Sequence, residues 1–229
     1  MRIADEIVDT YQGDQSAFLL DELEHDTKRA TDIGYSTNPI VQAYALTAQK
    51  YVIDPAIVEA FFASMRMDLT AQQYTPELYQ RYIHGSSEVI GLMCLSVFCG
   101  GTTAQYEALK PGAMALGSAY QKVNFLRDIG NDFSERGRIY FPGYSYESFD
   151  DDAKQAIIAD IERDFAAARP ALNNLPANSR RAVTISYVLY DRLLDKLKQT
   201  SIATIKQQRV RISTPEKLWL AAATVKGRA

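Results

Sequence analysis

Four prolines in this chain each follow a side chain able to cap a helix: Asn38-Pro39, Asp54-Pro55, Thr75-Pro76 and Thr214-Pro215. A cap oxygen satisfies an amide that the first helical turn leaves unpaired. Proline at the next position has no amide to leave unpaired. Each pair therefore marks a helix start. Convincing strands of period 2 are absent, so the apolar residues have to be buried by helices packing on helices. The pattern predicts helices over roughly 1–11, 15–30, 39–51, 55–67, 76–98, 102–131, 149–169, 178–199, 201–209 and 215–226, with a break expected at Lys110-Pro111. The stretch 133–148 is irregular and rich in Gly, Tyr and Ser. No linker, repeat or low-complexity tract divides the chain, which reads as one all-α domain.

Bulk properties remove several function classes. Of 229 residues 47% are hydrophobic, and the net charge of −3 gives no electrostatic footprint for nucleic acid. The two cysteines, Cys94 and Cys99, are too few for a disulfide framework or a zinc cluster and read as reduced core residues of a cytoplasmic protein. Met1 leads at once into a charged amphipathic segment, unlike a signal peptide. The longest apolar run, Val89 to Cys99, is too short to span a bilayer. A lipid substrate would then be taken up at the membrane surface, with the protein peripheral on the inner face.

The most informative segment is "YQKVNFLRDIGNDFSERGRIYFP", Tyr120 to Pro142. At about 100° per residue, Gln121, Asn124, Asp128 and Asp132 fall within roughly 80° of one another. Gly117 and Met114 extend the stripe backwards, from acidic through amide to small and apolar. Like charges one turn apart cost a helix about 0.2–0.5 kcal/mol, so something should offset Asp128 against Asp132. A bound cation is one candidate, and an ordinary solvated acidic face is the plain alternative. The opening "MRIADEIVDTY" repeats the spacing with Asp5 and Asp9. Carboxylates on two facing helices suit a hard divalent cation. Mg²⁺ takes oxygen ligands and commonly completes its shell with substrate phosphates, so paired DxxxD motifs in an α-bundle point to a diphosphate site. No GxxxxGK[ST] loop is present, which excludes P-loop chemistry. In "YIHGSSEVIGLM", Tyr82, Gly85, Ser86, Val89 and Met93 share a face, as either a ligand wall or a packing surface. His84 lacks companions at metal-ligand spacing, and His25 reads as solvated.

These segments together resemble the squalene/phytoene synthase family, the head-to-head trans-prenyl synthases. "RIADEIVD" resembles its first aspartate-rich motif, and the Gln-x-x-Asn-x-x-x-Asp-x-x-x-Asp run followed by Arg-Gly-Arg-x-Tyr-x-Pro resembles its second. "YIHGSSEVIG" is similar to the tyrosine helix between them, and "YDRLLDKL" and "RVRISTPEK" to its last segments. The wording is closest to bacterial phytoene synthases. Two departures stand out. Family members begin one or more helices earlier, and Ser86-Ser87-Glu88 stands where many read Val-Ala-Gly.

The resemblance implies an isoprenoid-synthase-type bundle around a central cavity. It implies 1′-1 condensation of two geranylgeranyl diphosphates, through a cyclopropylcarbinyl diphosphate, to phytoene. Asp5, Asp9, Asp128 and Asp132 would hold Mg²⁺, with Mn²⁺ as a substitute. Arg2, Arg127, Arg209 and Lys217 would take the remaining diphosphate charge, although a salt bridge between Arg127 and Asp128 competes with that role. Gln121 and Asn124 would orient phosphate, metal-bound water or carboxylate. Tyr82 and Tyr190 would face cationic intermediates. Loss of a proton without hydride delivery requires no NADPH. Head group at the aspartates and tail along Gly117 and Met114 would use about 21 Å of helix, so a bulky residue at 117 is expected to shorten the accepted tail. A monomer is expected. The alternatives are a squalene or dehydrosqualene synthase using farnesyl diphosphate, a non-catalytic relative serving as a helical interaction or assembly protein, and an unrelated α-domain with a solvated acidic face.

Overall fold

The computed structural model describes every residue except 12, 71–73 and 227–229, with the backbone alone at 136. It consists of α1 (Arg2–Asp9), α2 (Ser16–Ile33), α3 (Pro39–Lys50), α4 (Pro55–Thr70), α5 (Pro76–Ile83), a π-helical turn (His84–Glu88), α6 (Val89–Phe98), α7 (Thr103–Arg136), α8 (Asp151–Asn174), α9 (Ala177–Gln199), α10 (Ile202–Gln207) and α11 (Thr214–Val225). The described residues contain no strand.

Capping chemistry sets the starts. Asn38 accepts from the Ile40 amide at 3.0 Å, Asp54 from Ala56 at 2.9 Å and Thr75 from Leu78 at 3.2 Å. At α11 the cap is Ser213, one residue earlier than expected, because its hydroxyl reaches the Glu216 amide. The helices wrap two large apolar cores, with a small third cluster of Ala30, Val41 and Ala45 between α2 and α3. Ala4, Leu20, Phe61, Met65, Val89 and Leu92 join α1, α2, α4 and α6. Ile83, Val123, Leu126, Ile161, Leu194 and Leu197 join α5 and α7–α9.

Proline did not end helices where the sequence suggested. α7 runs unbroken through Pro111, and α8 passes Pro170 to reach Asn174. An interior proline costs about 3 kcal/mol, and tertiary packing offsets it here. A Cβ on Gly112 would run into Ala171, so the two helices touch almost backbone to backbone beside both prolines. Further along, the buried Lys122 ammonium meets Asp160 at 2.5 Å and Asp164 at 2.8 Å, and Ser118 donates to Asp164 at 2.7 Å. α7 is thereby held against α8 for much of its length of about 51 Å.

The expected helix 76–98 is likewise not uniform. Its middle widens into the π turn, which accommodates one extra residue per turn. The cause is close approach, since a Cβ on Gly85 would strike the Ala60 carbonyl oxygen and the Ser64 side chain of α4. The extra residue rotates α6 relative to α5. Tyr82 and Ser86 face one cavity while Val89 and Met93 turn into the core, so the single face expected for these residues splits at the turn. His84 and Glu88 pair across it at 2.8 Å.

Candidate functional site

A polar cavity of about 260 Å³ lies between the two cores. α1 contributes Asp5 and Asp9, and α7 contributes Gln121, Asn124, Asp128 and Asp132. Tyr82 and Ser86 come from α5 and the π turn, Asp68 from α4, and Tyr140 from the irregular segment after α7. Both DxxxD pairs therefore line one cavity. The spacing of four keeps each pair on one helix face, and packing α1 and α7 around α4 and α5 turns those faces toward each other. Among the described residues no three acidic, histidine or cysteine side chains are close enough to hold one ion between them. The donors are nonetheless all oxygen, which suits a hard cation whose shell is completed by water or phosphate oxygens.

Electrostatics differ between the aspartates. Burial pushes the Asp5 carboxyl above its ordinary range; the chain-start ammonium opposes this, and Asp9 and Glu6 add to it. Asp128 is clamped instead. Arg127 donates to it at 2.9 and 2.5 Å, and Arg209 at 2.7 and 3.0 Å. The competing salt bridge foreseen for Arg127 is thus present. Arg209 joins it from the segment after α10, about 80 residues along the chain.

The structure also reveals a buried carboxylate that the sequence reading missed. Asp68 is 5% exposed. Tyr82 Oη lies 2.9 Å from both of its oxygens, Arg138 donates at 3.2 Å, and a second Arg138 nitrogen bonds the Asp68 carbonyl. Burial, then the Asp68 charge, drives the Tyr82 phenol far above its usual range, so it stays a neutral donor. Burial likewise pushes Tyr140 up to about 12. Tyr74, Tyr82, Phe125 and Tyr140 form an aromatic wall, with Phe125 and Tyr140 stacked at 4.0 Å. Signals for these residues existed. Asp68 is a lone acid in the apolar run "FFASMRMDL", and Arg138 and Tyr140 belong to the Arg-Gly-Arg-x-Tyr-x-Pro segment.

Other expected site residues stand elsewhere. Arg2 is 90% exposed and does not line the cavity, because Glu6 one turn along α1 takes its guanidinium at 3.1 Å. Lys217 is exposed on α11 and does not line the cavity. Tyr190 stacks on Tyr120 at 3.9 Å, and its hydroxyl lies 3.4 Å from Asn124 Oδ1, so it braces a lining residue without lining the cavity itself.

A second cavity of about 450 Å³ is walled almost wholly by apolar atoms from α6, α7, α8 and α9. Ser86 and Gln121 border both cavities. Its α7 wall is Leu109, Gly112, Ala113, Leu116, Gly117 and Tyr120. Met114, expected there, packs instead into the core shared with α4 and α6, because the cavity lies on the side of α7 facing α8 and α9. Gly117 does line it, but a Cβ there would sit 2.7 Å from the Ser87 carbonyl oxygen. A bulky residue at 117 would therefore press on the π turn before it could shorten a tail. Cys94 also opens onto this cavity and is exposed; only Cys99 is a core residue.

A profile of squalene/phytoene synthases matches residues 1–216. The chain belongs to the squalene/phytoene synthase family. Among curated relatives, it is 31% identical to phytoene synthase 3, chloroplastic, of Zea mays over 86% of this chain and 50% of that protein. It is 29% identical to 15-cis-phytoene synthase of Synechocystis sp. over 95% of this chain and 71% of that protein. The chain thus spans half the length of the maize relative. A crystal structure of a dehydrosqualene synthase superposes with a TM-score of 0.80 at 18% identity, over 99% of this chain and 82% of the other. A squalene synthase from Alicyclobacillus acidocaldarius gives 0.74 at 20% identity, over 86% and 79%. The family's all-helical fold is therefore shared. No helix among the described residues is long and apolar enough to cross a membrane.

Proposed function

We propose that this family member is a prenyltransferase that joins two geranylgeranyl diphosphates head-to-head to give phytoene, with Mg²⁺ or Mn²⁺ and without NADPH. The observation that carries this is the joined pair of cavities. Facing aspartate pairs line a polar chamber, which meets an apolar chamber at Ser86 and Gln121. That is the shape of a ligand with a polyanionic head and a long apolar tail. Asp5, Asp9, Asp128 and Asp132 would hold the metal, which supplies charge neutralisation for the departing diphosphate.

This chain's residues do the rest. Arg127 and Arg209 both pair with Asp128. A diphosphate would offer those guanidiniums a second anionic partner beside Asp128. Asp68 and Arg138 fix the Tyr82 phenol, and the Tyr82 and Tyr140 rings border the chamber where positive charge would develop. Tyr190 orients Asn124. All four aspartates face the cavity, which argues against a purely structural relative.

A second reading, C15 units giving squalene or dehydrosqualene, fits the same chamber, and a dehydrosqualene synthase shares the fold. From Asp128 the α7 wall reaches Leu109 over about 28 Å of helix, longer than the path along Met114 and long enough for a tail of either length. Incubation with labelled C15 and C20 diphosphates, with and without Mg²⁺, followed by lipid extraction, separates the two. A metal-dependent C40 hydrocarbon from the C20 substrate is expected. A C30 product alone selects the second reading. No product from either substrate with either metal removes both.

A further inference from the structure

α11 is held to the body on one side only. Leu220 is buried, and Glu216 pairs with Arg192 and Lys196 of α9, each at 2.7 Å. On the opposite side Pro215, Leu218, Trp219, Ala222 and Val225 are all exposed, Leu218 by 67% and Trp219 by 66%. At 100° per residue these five lie within a sector of about 120°, with Lys226 among them. Single exposed apolar residues are ordinary on any surface, but a ridge running the full length of a helix is not. The ridge also sits in the most cationic part of the chain. Residues 206–226 contain Lys206, Arg209, Arg211, Lys217 and Lys226 against Glu216 alone, a net +4 in a chain of net −3. The remainder therefore carries −7. Lys206 and Arg209 are turned to Tyr146 and Asp128, and Arg211 and Lys226 are the exposed cations nearest the ridge.

The start of α11 is also close to the polar cavity. A Cβ on Gly130, between Asp128 and Asp132, would collide with the Lys206 carbonyl, so the end of α10 lies against the aspartate stretch of α7. Arg209 then reaches Asp128, and Ser213, the cap of α11, is only four positions further along the chain. That is at most about 14 Å of extended chain. The start of α11 therefore lies within reach of the aspartate stretch.

We propose that α11 is an interfacial helix that docks on an anionic lipid surface. Leu218 and Trp219 enter the headgroup region, while Arg211 and Lys226 face lipid phosphates. A tryptophan ring suits that boundary because its body is apolar and its N–H is polar. An apolar helix face flanked by cations is the pattern that binds such surfaces in plane. Docking of this kind depends on the face and its charge alone and requires no turnover.

Trp219 is the chain's one tryptophan, so its emission reports directly on the ridge. The chain is titrated with vesicles of phosphatidylglycerol and, separately, of phosphatidylcholine, with co-sedimentation as the second readout. A shift of Trp219 emission to shorter wavelength and pelleting with the anionic vesicles are expected, and both should weaken as salt rises. Leu218→Asp, at an exposed position, should lower anionic-vesicle binding by about tenfold or more with an unchanged circular dichroism spectrum. Any of four results overturns the proposal: no shift with anionic vesicles; equal binding to both lipids; Leu218→Asp binding like the wild type; or a shift that grows with protein concentration without lipid, which would assign the face to a second copy of the chain.

Discussion

Replacing Asp68 by asparagine tests whether the buried carboxylate is what holds the Tyr82 side of the cavity. The side chain is 5% exposed and its partner Arg138 15%, so water screens the pair little. Asparagine keeps the shape and one acceptor oxygen. It leaves the Arg138 charge without its counter-ion and gives the Tyr82 hydroxyl one acceptor where it now has two at 2.9 Å. Removing one member of a buried ion pair costs about 3–5 kcal/mol. In a chain of 229 residues that lowers the melting temperature by about 6–20 °C, at about 2–4 °C per kcal/mol. Urea or thermal unfolding of the wild type, Asp68→Asn, Arg138→Gln and the double variant closes a thermodynamic cycle. A coupling of about 1–3 kcal/mol between the two sites is expected. If Asp68→Asn melts within about 2 °C of the wild type, or the two effects simply add, the buried pair does not organise this wall. The same variant should bring the Tyr82 phenol down toward its usual range, because the Asp68 charge is one of the causes of its upward shift. An ultraviolet titration checks this.

Three further outcomes are expected. Gly117→Val should destabilise the fold by about 1–3 kcal/mol, because its Cβ would lie 2.7 Å from the Ser87 carbonyl oxygen; urea unfolding reads this, and a stable variant with merely shortened tail preference would refute it. Asp132→Asn should abolish Mg²⁺-dependent diphosphate binding in calorimetry while leaving the melting temperature within a few degrees, since Asp132 lines the polar cavity and is not in the core. Burial raises the Asp5 carboxyl, so protons should compete with metal at a higher pH than for an ordinary carboxylate. In the fold itself the sign is the reverse: the native state holds that proton more tightly than the unfolded chain, so this group's contribution to stability falls as pH rises from the unfolded to the folded pKa. Asp5→Asn should flatten both dependences, as read by metal titration and by melting across the acidic range.

The sequence made the helices and the aspartate faces legible for local reasons. Asn38, Asp54 and Thr75 cap within three residues of themselves, and Asp5 with Asp9 or Asp128 with Asp132 share a face through helix geometry alone. Pro111 and Pro170 misled for the converse reason. Their local cost is real, but it is offset by the close contact of α7 with α8, which no local rule contains. Asp68 escaped notice because a lone acid carries no period. Its meaning comes from Tyr82 and Arg138, which are 14 and 70 residues away in the chain.

What the sequence determined by itself was short-range: where helices begin, which side chains share a face, and that two of those faces are acidic. The tertiary structure decided the rest. It turned both aspartate pairs into one cavity, closed Arg209 onto Asp128, pushed Met114 out of the tail chamber and left one side of α11 uncovered. The reason is physical. Periodicity fixes directions around a single helix axis, whereas contacts between helices depend on how closely their backbones approach. Here that approach is set by Gly85, Gly112 and Gly117, at which a single added carbon would collide with the neighbouring element.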